Sequence, residues 1–391
     1  MKLLKIDIPQ NRIFGLDILR AFAIICVVAT HGKYYFTDPL VRRILALPIF
    51  DGVSIFFVLS GFLIGGILIK TIETNGNDFS VLLGFWKRRW FRTLPNYYLI
   101  LLLSFLVYSG TGDVDLSRYL VFLQNFNVPH PAFFPEAWSL AVEEWFYVLI
   151  PLGVFIALKL SCNNKQSLLL LVVTVIVIAI LFRYQKFYSF EINTGAVWET
   201  MLRKQVITRL DSLMFGVLGA YLSYYHNDTW ILHKTKLLFL GIVVMIVNKA
   251  MWYLQGYLGL TFDNIYYCVY SFTLDSIGPL LLLPFLSTYK KAGGIICKVI
   301  TIISLISYSM YLINYSLVQR FFIPLILNTI HLPNSGIVYE MFTYMIFWTV
   351  TIVGSIIIYK YYEAPFTKLR DVPLSIIKIP GKTHQSVGKG D

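Results

Sequence analysis

Apolar runs of roughly 20 residues recur along this chain between residues 14 and 360. A helix needs about that length to cross the hydrocarbon core of a bilayer. Ten such helices are predicted, at about 14–34, 50–70, 94–110, 137–159, 167–184, 205–224, 236–255, 264–287, 298–327 and 338–360. The ninth run is long and is expected to have a broken or tilted end. In lipid every backbone amide must find its partner inside the protein, so only helix bundles and closed barrels span a membrane. Barrel strands alternate polar and apolar residues, and these runs do not. The fold class is therefore all-α, a polytopic transmembrane helical bundle of about ten helices. Composition agrees, with 57% hydrophobic and only 14% charged residues and a mean hydropathy of +0.68; a soluble chain carries about a quarter charged residues.

A net charge of +12 invites a nucleic-acid reading, which the distribution of the charge argues against. The basic residues flank the apolar runs, as they do in cytoplasmic membrane loops. With the N-terminus placed in the cytoplasm, the inner segments hold 21 lysines and arginines and the outer segments 9. This predicts a multi-pass protein of the cell membrane with both termini cytoplasmic. Residues 1–367 read as one transmembrane domain and 368–391 as a short polar cytoplasmic tail. The first span carries Asp17, Arg20 and His31 and no small-residue cleavage site, so it reads as a retained helix rather than a signal peptide. Cys26, Cys162, Cys268 and Cys297 are scattered without a paired spacing, which predicts neither a disulfide framework nor a metal site.

Ionisable groups inside membrane helices usually face the bundle interior and mark function. Arg20 and His31 are separated by eleven residues, roughly 16 Å along a helix axis and within some 20° of the same face at ~100° per residue. A snorkelling arginine and an interfacial histidine is the bland alternative; a neutral imidazole is also an apt general base near neutral pH. The segment Lys87 to Pro95 places Arg88, Arg89 and Arg92 just before the third run. It reads either as an ordinary cytoplasmic anchor or as a phosphate site, for which arginine is well suited. Trp138-Ser139-Leu140-Ala141-Val142-Glu143-Glu144 then opens an apolar helix with two adjacent carboxylates. They point about 100° apart, so one can meet His31 and the other an arginine. Arg209 and Asp211 lie together in a further run and read as an intramembrane ion pair. Glu363 and Pro365 follow the last run and are expected to end it.

Taken in order, these pieces resemble the acyltransferase-3 family of membrane O-acyltransferases. The matches are Phe14 to Arg20 with His31, Phe56 to Phe62 including Ser60, Arg88-Arg89-x-x-Arg92-x-x-Pro95, and Trp138-Ser139-Leu140-x-x-Glu143. Further matches are Arg209-x-Asp211-Ser212-Leu213, Ser307 to Leu312, and Glu363-x-Pro365-Phe366, so the resemblance runs from about residue 13 to 367. It implies a stand-alone enzyme, without the fused esterase-like domain of some relatives, that acetylates a carbohydrate such as O-antigen, exopolysaccharide or peptidoglycan. The implied donor is acetyl-CoA, or another acyl-CoA, taken from the cytoplasm, and no metal is implied. The resemblance assigns the catalytic histidine to His31. One departure stands out: the late motif often ends in histidine in the family, and this chain has Asn314 there; no catalytic role is assigned to it.

These readings combine into one expected mechanism. His31 is the general base, Glu143 orients and charges it, and Arg20 lies nearer the donor entrance. Arg88, Arg89 and Arg92 hold the donor phosphates. Asp17, Ser60, Trp138, Ser139, Glu144, Arg209 and Asp211 are substrate-contacting or structural polar residues. The loop at 110–136, with Asn125, Asn127, His130 and Glu136, is a weaker candidate for receiving the sugar. The alternative is a transporter of a polysaccharide precursor or small polar solute, since transporters also keep ionisable groups in their helices. Against it, the ionisable residues crowd the first half of the chain and no inverted repeat is evident.

Overall fold

The computed structural model describes residues 6–9, 12–75, 79–108, 114–160, 163–330 and 336–370. Most of the expected tail lies outside the described residues. The principal helices are α1 (Phe14–Gly32), α2 (Pro39–Ala46), α3 (Gly52–Asn75), α4 (Phe79–Tyr108), α5 (Ala137–Leu160), α6 (Asn164–Ser189), α7 (Leu210–Tyr225), α8 (Lys234–Tyr253), α9 (Ser271–Thr288), α10 (Ile295–Ile313), α11 (Ile323–Ile330), α12 (Ile337–Ile358) and α13 (Ala364–Leu369). No strand occurs among the described residues. Nine helical stretches in them are long and apolar enough to cross a membrane, and the all-α polytopic bundle holds.

Three boundaries differ from the expectation, each for a physical reason. The run at 205–224 becomes α7, only 16 residues long and about 24 Å at a 1.5 Å rise. It is short of a full span because 199–209 turn back into the bundle; most of α7 is buried. The third helix starts at Phe79 rather than near 94 and carries the arginine segment within it, with Pro95 inside the helix. The last helix does not end at Pro365: it passes through a π-helical turn at Tyr359–Glu363 into α13, whose first turn takes the proline, where a missing N–H costs nothing. The ninth run is broken as expected: α10 gives way to a π-helical segment, Asn314–Phe322, before α11.

The centre of the bundle is the crossing of α3 on α7. A Cβ on Gly61 would lie 1.9 Å from the Leu213 carbonyl oxygen, and one on Gly216 2.1 Å from that of Val58. Only glycine permits the two backbones to approach so closely. α1 packs against α3 and α10, and its start is tied to the end of α9 by Gly15 N–H donating to Tyr289 O at 2.9 Å. α6 and α8 turn apolar faces outward, through Leu170, Val173, Val177 and Leu181 on one and Phe239, Val243 and Val247 on the other. Such faces suit lipid. α2 is amphipathic, with Leu40, Ile44 and Leu47 exposed and Asp38 capping its first turn by accepting from Leu40 N at 2.7 Å.

Candidate active site

The polar column of α1 divides into three separate roles. Asp17 is buried and pairs with Arg12, whose Nε donates at 2.8 Å; it also accepts from Ser304 Oγ at 2.7 Å. It clamps α1 to α10 and is not a partner for Arg20. Arg20 and His31 both face cavities, but different ones.

Arg20, Arg89 and Arg92 line a cavity of about 100 Å³ together with Glu143, Ser60 and Ser139. The Arg89 guanidinium lies 4.0 Å over the ring of Tyr147, donates to the Tyr147 hydroxyl and to Ser60 Oγ at 3.3 Å, and stands 3.9 Å from Glu143. Tyr147 in turn donates to Glu143 at 2.8 Å. Three arginines and one carboxylate thus line the same cavity, and Arg89 is the arginine paired with that carboxylate. Arg88 does not join them: it is exposed and lies outside the cavity lining. The two adjacent carboxylates do point apart, and Glu144 turns toward α4, accepting from Thr93 Oγ1 at 2.8 Å.

His31 lines a second, larger cavity of about 710 Å³ at the other end of α1. The expected Glu143–His31 contact is not formed, because Glu143 faces the arginine cavity. Instead His31 Nδ1 lies 2.5 Å from Asn314 Oδ1. The amide orientation is fixed, since Asn314 Nδ2 donates to Met310 O at 2.9 Å and Tyr311 O at 2.8 Å. A carbonyl oxygen facing Nδ1 requires the proton on Nδ1, which leaves Nε2 as the acceptor. Nε2 has no hydrogen-bond partner among the described residues. The π-helical segment begins at Asn314, a distortion often found at functional sites. It also brings Tyr315 to 4.6 Å from the imidazole ring and Gln319 Nε2 to 3.1 Å from His31 O.

Trp138, Trp198, Trp252, Tyr34 and Tyr315 form aromatic walls of this cavity. Arg203 crosses it between Asp51 at 3.1 Å and Glu199 at 3.5 Å, and Lys204 meets Glu199 at 2.7 Å. Burial by itself would raise the Asp51 carboxyl, but Arg203 and Arg209 hold it below the usual carboxylate range. Glu136 takes the opposite course. Burial pushes it up to about 7, although Ser316 donates to it from both its N–H and its hydroxyl. Two other loop candidates serve the scaffold: Asn125 donates to Trp138 O at 3.0 Å, and His130 Nε2 lies 3.1 Å from Phe134 O; Asn127 is exposed.

The two cavities share Val53 and Tyr311 in their linings. Tyr311 is fixed in place by Ser139, whose Oγ is 2.5 Å from the phenol oxygen, and by the Glu136 carbonyl at 3.2 Å. The Arg209–Asp211 pair is also corrected. Asp211 pairs with Arg183 at 2.7 Å, both fully buried, while Arg209 donates to Ser54 Oγ at 2.5 Å and stacks on Phe272. Residues two apart on a helix do not face each other, a signal present in the sequence. Asn314 and Arg183 were the residues that sequence reasoning missed. Asn314 was visible only as the departure from the family motif.

A family model described as Acyltransferase domain matches residues 13–360. The chain is 31% identical over 185 residues to the putative peptidoglycan O-acetyltransferase YrhL of Bacillus subtilis, covering 42% of this chain and 27% of that one. It is 33% identical over 175 residues to peptidoglycan O-acetyltransferase OatA of Listeria monocytogenes, covering 39% and 26%. A putative O-acetyltransferase of Staphylococcus aureus is 27% identical over 227 residues, covering 53% and 34%. The matches thus span about a quarter to a third of these relatives' lengths. No solved structure matches.

Proposed function

The chain belongs to the acyltransferase-3 family of membrane acyltransferases, and from that membership we propose that it moves an acetyl group from acetyl-CoA, bound at the arginine cavity, to a hydroxyl of a cell-envelope carbohydrate held at the His31 cavity. The observation that carries this reading is the meeting of the two cavities at Tyr311 and Val53. One is rich in arginine and suits the phosphates of a nucleotide-bearing donor. The other has aromatic walls that suit sugar rings, and a histidine with a free ring nitrogen.

In this reading the arginine cavity opens to the cytoplasm and the His31 cavity faces outward. His31 Nε2 takes the proton of the acceptor hydroxyl. The oxygen attacks the thioester carbonyl, the new C–O bond forms, the C–S bond breaks, and the departing CoA thiolate receives the proton. Asn314, rather than Glu143, holds the imidazole in the tautomer this step needs. Glu143 serves the donor side through Tyr147 and Arg89. Peptidoglycan, named in two relatives, stands beside O-antigen and exopolysaccharide as an acceptor class.

The test is release of free CoA from acetyl-CoA by the protein in lipid nanodiscs, with wall glycan as acceptor. Turnover in wild type, lost in His31→Ala at equal protein level, supports the transferase. Uptake of sugar into proteoliposomes without donor consumption would instead favour a transporter.

A further inference from the structure

The charges of the His31 cavity do not balance locally. Its lining carries Lys33, Arg203, Lys204 and Lys249 against Asp51, Glu136, Glu199 and Asp275. Asp51 and Glu199 are taken by Arg203 and Lys204, and Arg209 adds a third cation beside Asp51 at 3.9 Å. Glu136 is turned to Ser316, and at about 7 it is neutral for much of the time near neutral pH. Asp275 accepts from Asn248 Nδ2 at 2.7 Å and attracts Lys249 only from beyond ion-pair reach.

Lys33 and Lys249 remain. Among the described residues neither has a carboxylate oxygen within 4 Å, and Lys33 reaches only the ring of Tyr34, at 5.3 Å. They come from different elements, the turn that follows α1 and α8, both line the same cavity, and the Lys249 charge acts on the Lys33 ammonium group. Two cations in a membrane bundle that lack an ion-pair contact are costly, and a ligand anion seated between them would offset that cost. Lys33 is also two residues from His31, so the anion would lie close to the hydroxyl that reacts.

Resting on the transferase reading above, we propose that the acceptor is an anionic saccharide, whose carboxylate or phosphate lies on or beside the acylated ring and is gripped by Lys33 and Lys249. The aromatic walls hold the sugar faces, and the two ammonium groups select charge and fix which hydroxyl reaches His31 Nε2.

The experiment measures binding to the full chain in nanodiscs of phosphatidylcholine, through the fluorescence of the cavity tryptophans. The probes are a glucuronate-containing disaccharide, its methyl ester, and a disaccharide phosphate of similar size. Acetyl-CoA binding is measured on the same samples. In wild type the better of the two anionic sugars is expected to bind about tenfold or more tighter than the ester, a difference of ~1.4 kcal/mol. That preference should shrink in Lys33→Gln and in Lys249→Gln, vanish in the double variant, and survive in Lys249→Arg. Preference for the carboxylate identifies a sugar acid as the acceptor class, and preference for the phosphate a phosphorylated sugar. Equal binding of acid and ester, or no binding of either anionic sugar, by protein that still binds acetyl-CoA overturns this proposal and leaves the transferase reading intact. Wild-type protein that binds no acetyl-CoA overturns the transferase reading itself.

Discussion

The Nδ1 atom of His31, on the first helix, lies 2.5 Å from Oδ1 of Asn314, 283 residues later in the chain. Because the amide is locked by two backbone carbonyls, this contact fixes which imidazole nitrogen is free to accept a proton. Asn314→Leu should therefore lower kcat about tenfold, the value of a hydrogen bond of ~1.4 kcal/mol, while leaving the KM for acetyl-CoA unchanged. Asn314→Asp should retain turnover and move the acidic limb of the pH–rate profile to higher pH, since a carboxylate favours the charged imidazole and the base is active only when deprotonated. His31→Ala should lose about 10²–10⁴ in rate. Steady-state kinetics across pH tests all three, and wild-type kcat in Asn314→Leu would remove the asparagine from the mechanism.

The arginines divide by where they point. Arg20→Gln and Arg92→Gln should each weaken acetyl-CoA binding by about tenfold or more, as loss of a charge-assisted hydrogen bond does. Arg88→Gln, exposed outside the cavity, should change it less than twofold. Titration with acetyl-CoA of the three purified variants decides. An Arg88 variant as weak as the Arg92 variant would move the donor site to the helix surface.

Tyr311, held by Ser139, and Val53 lie between the arginine cavity and the His31 cavity. Tyr311→Ala should join them and let water reach the thioester. The expected result is faster acetyl-CoA hydrolysis in the absence of sugar, with less acetyl transfer per CoA released. Unchanged coupling would show that other residues keep the two cavities apart.

Arg183 and Asp211 form a fully buried pair. Removing one partner strands the other, so Arg183→Leu should destabilise the protein by about 3–5 kcal/mol. Arg183→Leu with Asp211→Leu should recover much of that loss. Thermal unfolding in detergent reads both variants; a double variant no better than the single would mean that Arg183 acts mainly through Thr208 and Thr273.

Glu136 gives stability a pH slope. Its folded-state value of about 7 is above the ordinary 4.5, so between those two the folded protein binds the extra proton. Stability from this group is present at low pH, falls as pH rises from about 4.5 to 7, and is flat above. Glu136→Gln should remove that decline, read as a melting temperature less dependent on pH from 5 to 8. An unaltered slope would assign the effect to another group.

Much of this architecture is legible in the sequence because lipid imposes so few solutions. Span positions, the placement of Arg20 and His31 toward interior cavities, and the family motif set all follow from local patterns. Helical period alone does not choose Arg89 over Arg88, because both are one helical turn from Arg92; the ring of Tyr147 makes that choice. Nor does it reveal that Glu143 serves an arginine while an asparagine serves the histidine, since Asn314 arrives from the far end of the chain. The arrest of α7 at 16 residues escaped because hydropathy registers apolar length and not where the backbone turns.

The partition at Tyr311 has an electrical consequence. If the two cavities open to opposite sides as proposed and hold water, the insulating layer that is a whole span thick elsewhere in the bundle is reduced here to the Tyr311 and Val53 side chains. A membrane voltage then drops mainly across that short distance. Any charge that passes the tyrosine during a turnover crosses nearly the full potential, about 2.3 kcal/mol per elementary charge for each 100 mV.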